Sequence, residues 1–256
     1  MSKRLLTVWF ALMLLASSCA QQEKVARYTL KVQQEYPHDT LSYTQGLFFD
    51  EGRLYETAGQ YGESNLREVN LEDGVPVRRA DIEKKYFAEG SCVIANDIYV
   101  LTWLEKTCFV YDKNTFERTG SFVNNRQGWG LTTDGNLLIM SDGSAQLYFV
   151  SPKTFTIVRS VTVRNGGKSV NFLNELEYIE GKIWANVYLK DEILIIDPAT
   201  GEVEGVVDCR GLLPKERRTR RTDVLNGIAW NPASGEIFIT GKYWPAMYRI
   251  ELEKKK

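Results

Sequence analysis

The sequence predicts an all-β chain in which one four-stranded unit recurs five times and closes on itself. The first observation is a repeat with matching register. "TQGLFFDEGRLYETAG" from Thr44, "AEGSCVIANDIYVLTW" from Ala88 and "GWGLTTDGNLLIMSDG" from Gly128 are followed by "LNELEYIEGKIWANVY" from Leu173 and "LNGIAWNPASGEIFITGK" from Leu225. Their second residues, Gln45, Glu89, Trp129, Asn174 and Asn226, are separated by 44, 40, 45 and 52 positions, the period of a propeller or solenoid. The second observation is a further pair of short alternating strands after each of the first four segments. The third is that the last unit lacks one strand, while an unassigned alternating strand stands near the N-terminus. Together they specify a five-bladed β-propeller closed by pairing the N-terminal strand into the last blade, which removes free sheet edges. A stack of open repeats would instead carry polar capping units at both ends.

Taken in order, the N-terminal strand is "ARYTLKVQQEY". Each segment above then supplies two strands joined by a turn containing Gly or Asn. The outer pairs are "LREVNLEDGVPVRRADI", "CFVYDKNTFERTGSFV", "LYFVSPKTFTIVRSVTV" and "ILIIDPATGEVEGVVDC", with Asp-Gly, Lys-Asn, Pro-Lys and Pro-Ala-Thr-Gly turns. "AMYRIEL" is the third strand of the last unit.

Residues 1–18 stand apart. Lys3 and Arg4 precede an apolar run from Leu5 to Ala16 that is too short for a comfortable membrane span and matches a secretory signal peptide. Cys19, after two serines, resembles a lipobox cysteine, although Ala16 stands where leucine is commonest. The expectation is a lipoprotein signal, a linker over 19–27 and one propeller over 28–256, exported to the periplasm or anchored at the outer membrane through Cys19. Cleavage near Ala20 to give a soluble periplasmic or secreted protein is the alternative.

The composition, 43% hydrophobic and 25% charged in 256 residues, is that of an ordinary globular domain. A net charge of -1 speaks against a nucleic-acid partner held by general electrostatics. The single histidine, His38, excludes a multi-histidine zinc site and reads as a loop or interface residue. Cys92, Cys108 and Cys209 read as small buried hydrophobes, and "KERRTRR", Lys215 to Arg221, as a solvated loop.

The register leads to a site. Equivalent ends of innermost strands crowd one axis, so Gln45, Glu89, Trp129, Asn174 and Asn226 should form a ring. The ends of the second strands, Gly59, Trp103, Asp142, Tyr188 and Lys242, should form another at the same mouth. Gly46, Gly90, Gly130 and Gly227 follow the first ring as close-packed positions, with Glu175 the exception. A carboxyl group such as that of Glu89 in a narrow aromatic-lined mouth is a candidate for a raised pKa and for proton transfer.

The motifs "YTQGL", "AEG", "LTW", "GWGL", "SDGS", "LNELEY", "ANVY", "LNGIAW" and "TGKYWP" occur in that order. From about Tyr36 to Leu252 the chain resembles the plant and bacterial glutaminyl-peptide cyclotransferases (glutamine cyclotransferases). Its departures are Tyr43 for the usual phenylalanine, Ala88 for glycine and Gln127 for glutamate. The resemblance implies a five-bladed propeller that converts an N-terminal glutamine of a peptide or protein to pyroglutamate with loss of ammonia. Such chemistry needs no metal or other cofactor, since the substrate carries its own amine nucleophile and amide electrophile. Glu89 would shuttle the proton and Lys242 would stabilise the oxyanion or set the ionisation of Glu89. Gln45 and Asn174 would bind the substrate's amide and amine, Trp103 and Trp129 would wall the pocket, and Asn226 and Asp142 would add contacts. Trp184 and Trp230 read as packing residues. The chain is expected to be monomeric, with a membrane partner only through a lipid anchor. Rival readings are a non-catalytic exported propeller binding peptide or glycan at its mouth, and a metal-dependent hydrolase, for which the ring offers too few carboxylates.

Overall fold

Short alternating segments separated by Gly, Asn and Pro turns do form strands throughout the computed structural model, which describes residues 25–255. The expected leader and Cys19 lie outside the described residues. In chain order the strands are β1 (Ala26–Pro37), β2 (Thr44–Asp50), β3 (Arg53–Ala58), β4 (Asn65–Val69) and β5 (Pro76–Asp81). Next come β6 (Ala88–Ile94), β7 (Asp97–Thr102), β8 (Thr107–Asp112) and β9 (Arg118–Val123). A third group is β10 (Leu131–Thr133), β11 (Leu138–Ser141), β12 (Gln146–Val150) and β13 (Ile157–Thr162), followed by a small hairpin, β14 (Arg164–Asn165) and β15 (Lys168–Ser169). The chain continues as β16 (Leu173–Ile179), β17 (Lys182–Val187), β18 (Glu192–Ile196) and β19 (Val203–Asp208). It ends with β20 (Leu225–Asn231), β21 (Glu236–Gly241) and β22 (Ala246–Lys254).

The fold is all-β. Three sheets are simple four-stranded meanders, β2 to β5, β6 to β9 and β10 to β13. The fourth, in the order β16-β17-β18-β19-β1-β22-β21-β20, has eight strands. Strand β1 joins its two halves: Tyr28 to Pro37 run antiparallel to β22, and Ala26 to Thr29 run parallel to β19. The parallel contact is not foreshadowed in the sequence, and β1 begins at Ala26, inside the stretch expected to be a linker.

Burial falls from the first strand of each meander to the last. In β2 and β6 the leading residues are continuously buried, whereas β5, β9 and β13 are largely exposed. Strands covered on both faces need unbroken apolar or small sequences, and strands at a rim alternate. The first strands pack in a cycle: β2 on β6, β6 on β10, β10 on β16, β16 on β20 and β20 on β2. Apolar clusters fill the spaces between adjacent sheets, one of them built on Trp184, Leu225, Trp244 and Tyr248 with Trp230 packed against it. Cys92, Cys108 and Cys209 are buried and free.

Candidate active site

The ladder between first and second strands is interrupted at the same place in four strand pairs. Register shifts fall between Thr44 and Gly46, Ala88 and Ser91, Leu173 and Leu176, and Leu225 and Ile228. A bulge leaves its extra residue unpaired and re-aims the side chain. The residues so released include Gln45, Glu89, Asn174 and Asn226.

Neighbouring sheets stitch these irregular segments in place. The Thr57 hydroxyl donates to the Glu89 carbonyl at 2.7 Å, and the Gly90 N–H to the Trp129 carbonyl at 2.7 Å. The Ser141 hydroxyl donates to the Asn174 carbonyl at 2.8 Å, the Gly227 N–H to Asn186 Oδ1 at 3.0 Å, and Asn226 Nδ2 to the Thr44 carbonyl at 2.8 Å. Such close approach explains two glycines. A Cβ on Gly90 would lie 2.4 Å from the Leu131 nitrogen, and one on Gly130 would lie 1.9 Å from the Asn174 carbonyl oxygen.

At this end of the first strands is a cavity of about 190 Å3 lined by Tyr43, Gln45, Gln60, Phe87, Glu89, Trp103, Trp129, Asn174, Tyr188 and Lys242. Its aromatic wall is built of two groups: Trp103 meets Phe87 edge-on at 5.7 Å and Phe87 meets Tyr43 at 5.9 Å, while Trp129 meets Tyr188 at 5.8 Å. One amide oxygen holds both indoles, since Trp103 Nε1 and Trp129 Nε1 donate to Gln127 Oε1 at 3.0 and 3.1 Å. A larger open groove of about 460 Å3 lies beside β1 and β19, but Asp208 there is already paired with Arg210 and Lys255.

Glu89 is 5% exposed, and its side chain has no hydrogen-bond partner among the described residues. Burial holds its carboxyl well above the ordinary carboxylate range; the Lys242 ammonium opposes that shift and Glu105 adds to it. Lys242 is 3% exposed, and burial lowers its pKa to about 8 against the pull of Glu89 and Asp223. Its Nζ sits 4.4 Å from the Tyr43 ring centroid and 5.5 Å from that of Tyr188, a cation held over two aromatic faces. Two further acids descend from the mouth on β16. Glu175 accepts from the Ile228 N–H at 2.9 Å, with its other oxygen buried and unpartnered. Glu177 accepts from the Trp230 N–H at 2.9 Å, and burial raises its pKa to about 8 despite that bond.

The structure thus gathers Gln45, Glu89, Trp103, Trp129, Asn174 and Lys242 around one cavity. It does not bring Asn226 or Asp142 to the wall. Asn226 is fully buried behind it and points Nδ2 toward Gln45 Oε1 at 3.3 Å, so it braces the neighbouring amide. Asp142 turns back on its own loop, accepting from the Ser144 N–H and hydroxyl at 3.1 and 2.5 Å. Tyr43, Phe87, Gln127 and Gln60 were not singled out as site residues in the sequence. For the first three the signal was there: each stands two positions before a ring residue, hence on the same side of an extended chain. Tyr188 was in the second ring without a role.

His38 stands in the loop after β1, as expected, but is not exposed there. It is buried, with Nδ1 2.8 Å from the Trp244 carbonyl and Nε2 3.2 Å from Glu56 Oε1. Glu56 also accepts from Ser42 at 2.5 Å, Thr44 at 2.7 Å and Arg67 Nη2 at 2.8 Å. Burial alone would raise the Glu56 pKa, but Arg67 and His38 hold it well below the usual carboxylate range. This cluster ties the segment carrying Tyr43 and Gln45 to the turn carrying Lys242. Among the described residues no group of three His, Cys, Asp or Glu side chains is assembled as a metal site.

A propeller-like all-β fold whose mouth holds one buried acid, one buried lysine, amides and indoles defines the class. The glutamine cyclotransferase family model matches residues 5–252, and the chain belongs to that family. It is 38% identical over 231 residues to a glutaminyl-peptide cyclotransferase of Arabidopsis thaliana, covering 88% of this chain and 72% of the relative. The crystal structure of Myxococcus xanthus glutaminyl cyclase superposes with a TM-score of 0.85 at 35% identity, covering 91% of this chain and all of that one. The WD40 β-propeller domain of Doa1, at 13% identity and a TM-score of 0.50 over 82% of this chain and 63% of its own, shares the fold alone.

Proposed function

We propose that this chain is a five-bladed propeller that cyclises the N-terminal glutamine of peptides or proteins to pyroglutamate and releases ammonia, with Glu89 as proton shuttle and no metal. The blade count is supported by the cycle of five first strands, and closure by the pairing of β1 with β22. The observation that carries the reaction is the presence of a buried, unbonded Glu89 carboxyl and a buried lysine in the lining of one small cavity.

The substrate α-ammonium, with an ordinary pKa of about 7.7–8.0, loses a proton to the Glu89 carboxylate. The free amine attacks the γ-carboxamide carbon, closing a five-membered ring. The oxyanion that forms faces the Lys242 ammonium, which stabilises charge that develops only in the transition state. Glu89 returns its proton to the amide nitrogen, and the freed carboxylate takes the surplus proton from the ring nitrogen. The C–N bond breaks, and the departing ammonia carries that proton away as ammonium. Gln45 and Asn174 hold the side-chain amide and the amine, and the aromatic wall keeps the glutamine folded and excludes water. Burial raises the carboxyl pKa and makes Glu89 a stronger base than an ordinary carboxylate, so one group can take the proton and later return it.

Ammonia release from a Gln-initiated dipeptide, followed with and without a strong chelator, tests this function. Equal rates are expected; absence of ammonia would leave a binding module, and loss of rate on chelation would require a metal. Export and anchoring through Cys19 complete the proposal. Acyl labelling of the expressed protein should disappear in Cys19→Ser, and its absence from the parent would remove the anchor.

A further inference from the structure

The basic run set aside in the sequence as a solvated loop is fastened to the mouth. Its upstream end is anchored by Leu213, 1% exposed in the cluster that holds Trp244. Its downstream end is clamped to the lysine turn: the Asp223 N–H donates to the Lys242 carbonyl at 3.0 Å and the Lys242 N–H to the Val224 carbonyl at 2.9 Å. Between them is a short 3-10 turn over Lys215–Arg217 and a second turn in which Thr219 N–H donates to Thr222 Oγ1 at 2.8 Å and Arg221 N–H to Thr219 Oγ1 at 3.2 Å. The strap is therefore held in shape over the rim.

Its charges are largely uncommitted. Arg217 pairs with Glu35 on β1. Among the described residues Lys215, Arg218, Arg220 and Arg221 form no salt bridge, and all four are exposed. The Arg221 guanidinium lies 4.8 Å from the Tyr243 ring centroid, and Tyr243 lies 5.1 Å from Tyr43, part of the cavity wall. Two ring contacts thus separate a free guanidinium from the place where the terminal glutamine would sit. An extended peptide advances about 3.3–3.6 Å per residue, so the second to fourth residues of a bound chain span that distance. Glu216 and Asp223 are the strap's acids; the latter is spent on the turn, its Oδ1 accepting from the Val224 N–H at 2.8 Å.

We propose that the strap from Lys215 to Arg221 is a subsite for acidic residues just after the N-terminal glutamine, so that the preferred substrates are peptides or protein termini beginning with glutamine and then Asp or Glu. This rests on the cyclisation reading of the cavity. Guanidinium forks match carboxylates, and the pairs formed would be exposed, so the preference is modest and salt-sensitive.

The test compares amidated tetrapeptides of equal length, Gln-Asp-Glu-Ala, Gln-Ala-Ala-Ala and Gln-Lys-Lys-Ala, by kcat/KM for ammonia release at low and high salt. At low salt the acidic peptide should lead the neutral one by about three- to tenfold through KM, the basic peptide should trail, and high salt should level the three. Arg220→Gln with Arg221→Gln should abolish the ranking while leaving turnover of a Gln-Ala dipeptide unchanged. Equal rates for all three peptides at low salt, or a ranking that survives the double substitution, would overturn the subsite and leave cyclisation standing. No turnover of any peptide would overturn the cyclisation reading and the subsite with it.

Discussion

Replacing Glu89 by glutamine removes a titratable proton and almost nothing else. The backbone there is fixed by Thr57 and Trp129, and the carboxyl makes no hydrogen bond to the described residues that an amide would break. The proposed mechanism asks Glu89 for two transfers, one from the amine and one to the leaving nitrogen. Loss of general acid–base catalysis costs about 10²–10⁴-fold, equivalent to roughly 2.7–5.5 kcal/mol of barrier. Because the binding groups are untouched, kcat and kcat/KM should fall together with KM little changed. Stability should move the other way. A carboxyl whose folded pKa is raised contributes fully below its unfolded value of about 4.5 and loses that contribution as pH rises toward the folded value. Glu89→Gln should thus match the parent near pH 4 and exceed it at pH 8 in urea denaturation. Steady-state ammonia release and urea midpoints at the two pH values decide the matter. Retention of full rate, or a loss confined to KM, would refute the shuttle.

Three further outcomes follow from the same geometry. Lys242→Met removes the cation that opposes burial at Glu89, so the acid limb of kcat/KM against pH should shift upward. The parent should show an alkaline limb near pH 8 from Lys242 that the variant lacks, with kcat down about 10²-fold. Glu177 carries a pKa raised from 4.5 to about 8, which corresponds to roughly 5 kcal/mol lost as pH climbs through that window. Glu177→Gln should therefore flatten the pH dependence of stability between pH 5 and 8 without touching kcat, as read by chemical denaturation. Gly130→Ala drives a Cβ into the Asn174 carbonyl, and a clash with backbone in a packed region should cost about 1–3 kcal/mol. Calorimetry should show that loss, and KM should rise as Asn174 is displaced.

Much of this was legible in the chain. A unit of alternating strands with a constant register identifies Gln45, Glu89, Trp129 and Asn174 as equivalent, because equivalent positions in a repeat occupy equivalent places. Trp103, Tyr188 and Lys242 follow from the ends of the second strands by the same rule. The register misled at Asn226 and Asp142. Whether a residue at an equivalent position points into a cavity or braces its neighbour depends on local hydrogen bonding: Asn226 turns its amide nitrogen to Thr44 and Gln45, and Asp142 accepts from Ser144.

What the sequence determined by itself is periodic information: strand order, turn chemistry, the one missing strand and the list of residues sharing an end of the molecule. Tertiary structure decided what distant segments do to one another. The bulges that free the site residues depend on partner strands, and the pKa shifts of Glu89 and Lys242 depend on burial by residues from distant segments of the chain. His38, Glu56 and Arg67 meet only because β1, β3, β4 and the Lys242 turn converge. The basic strap reads as solvent-facing in one dimension, and only the Tyr243 and Tyr43 rings place it at the rim. Local propensity is encoded along the chain, whereas desolvation and charge proximity arise only when it closes in space.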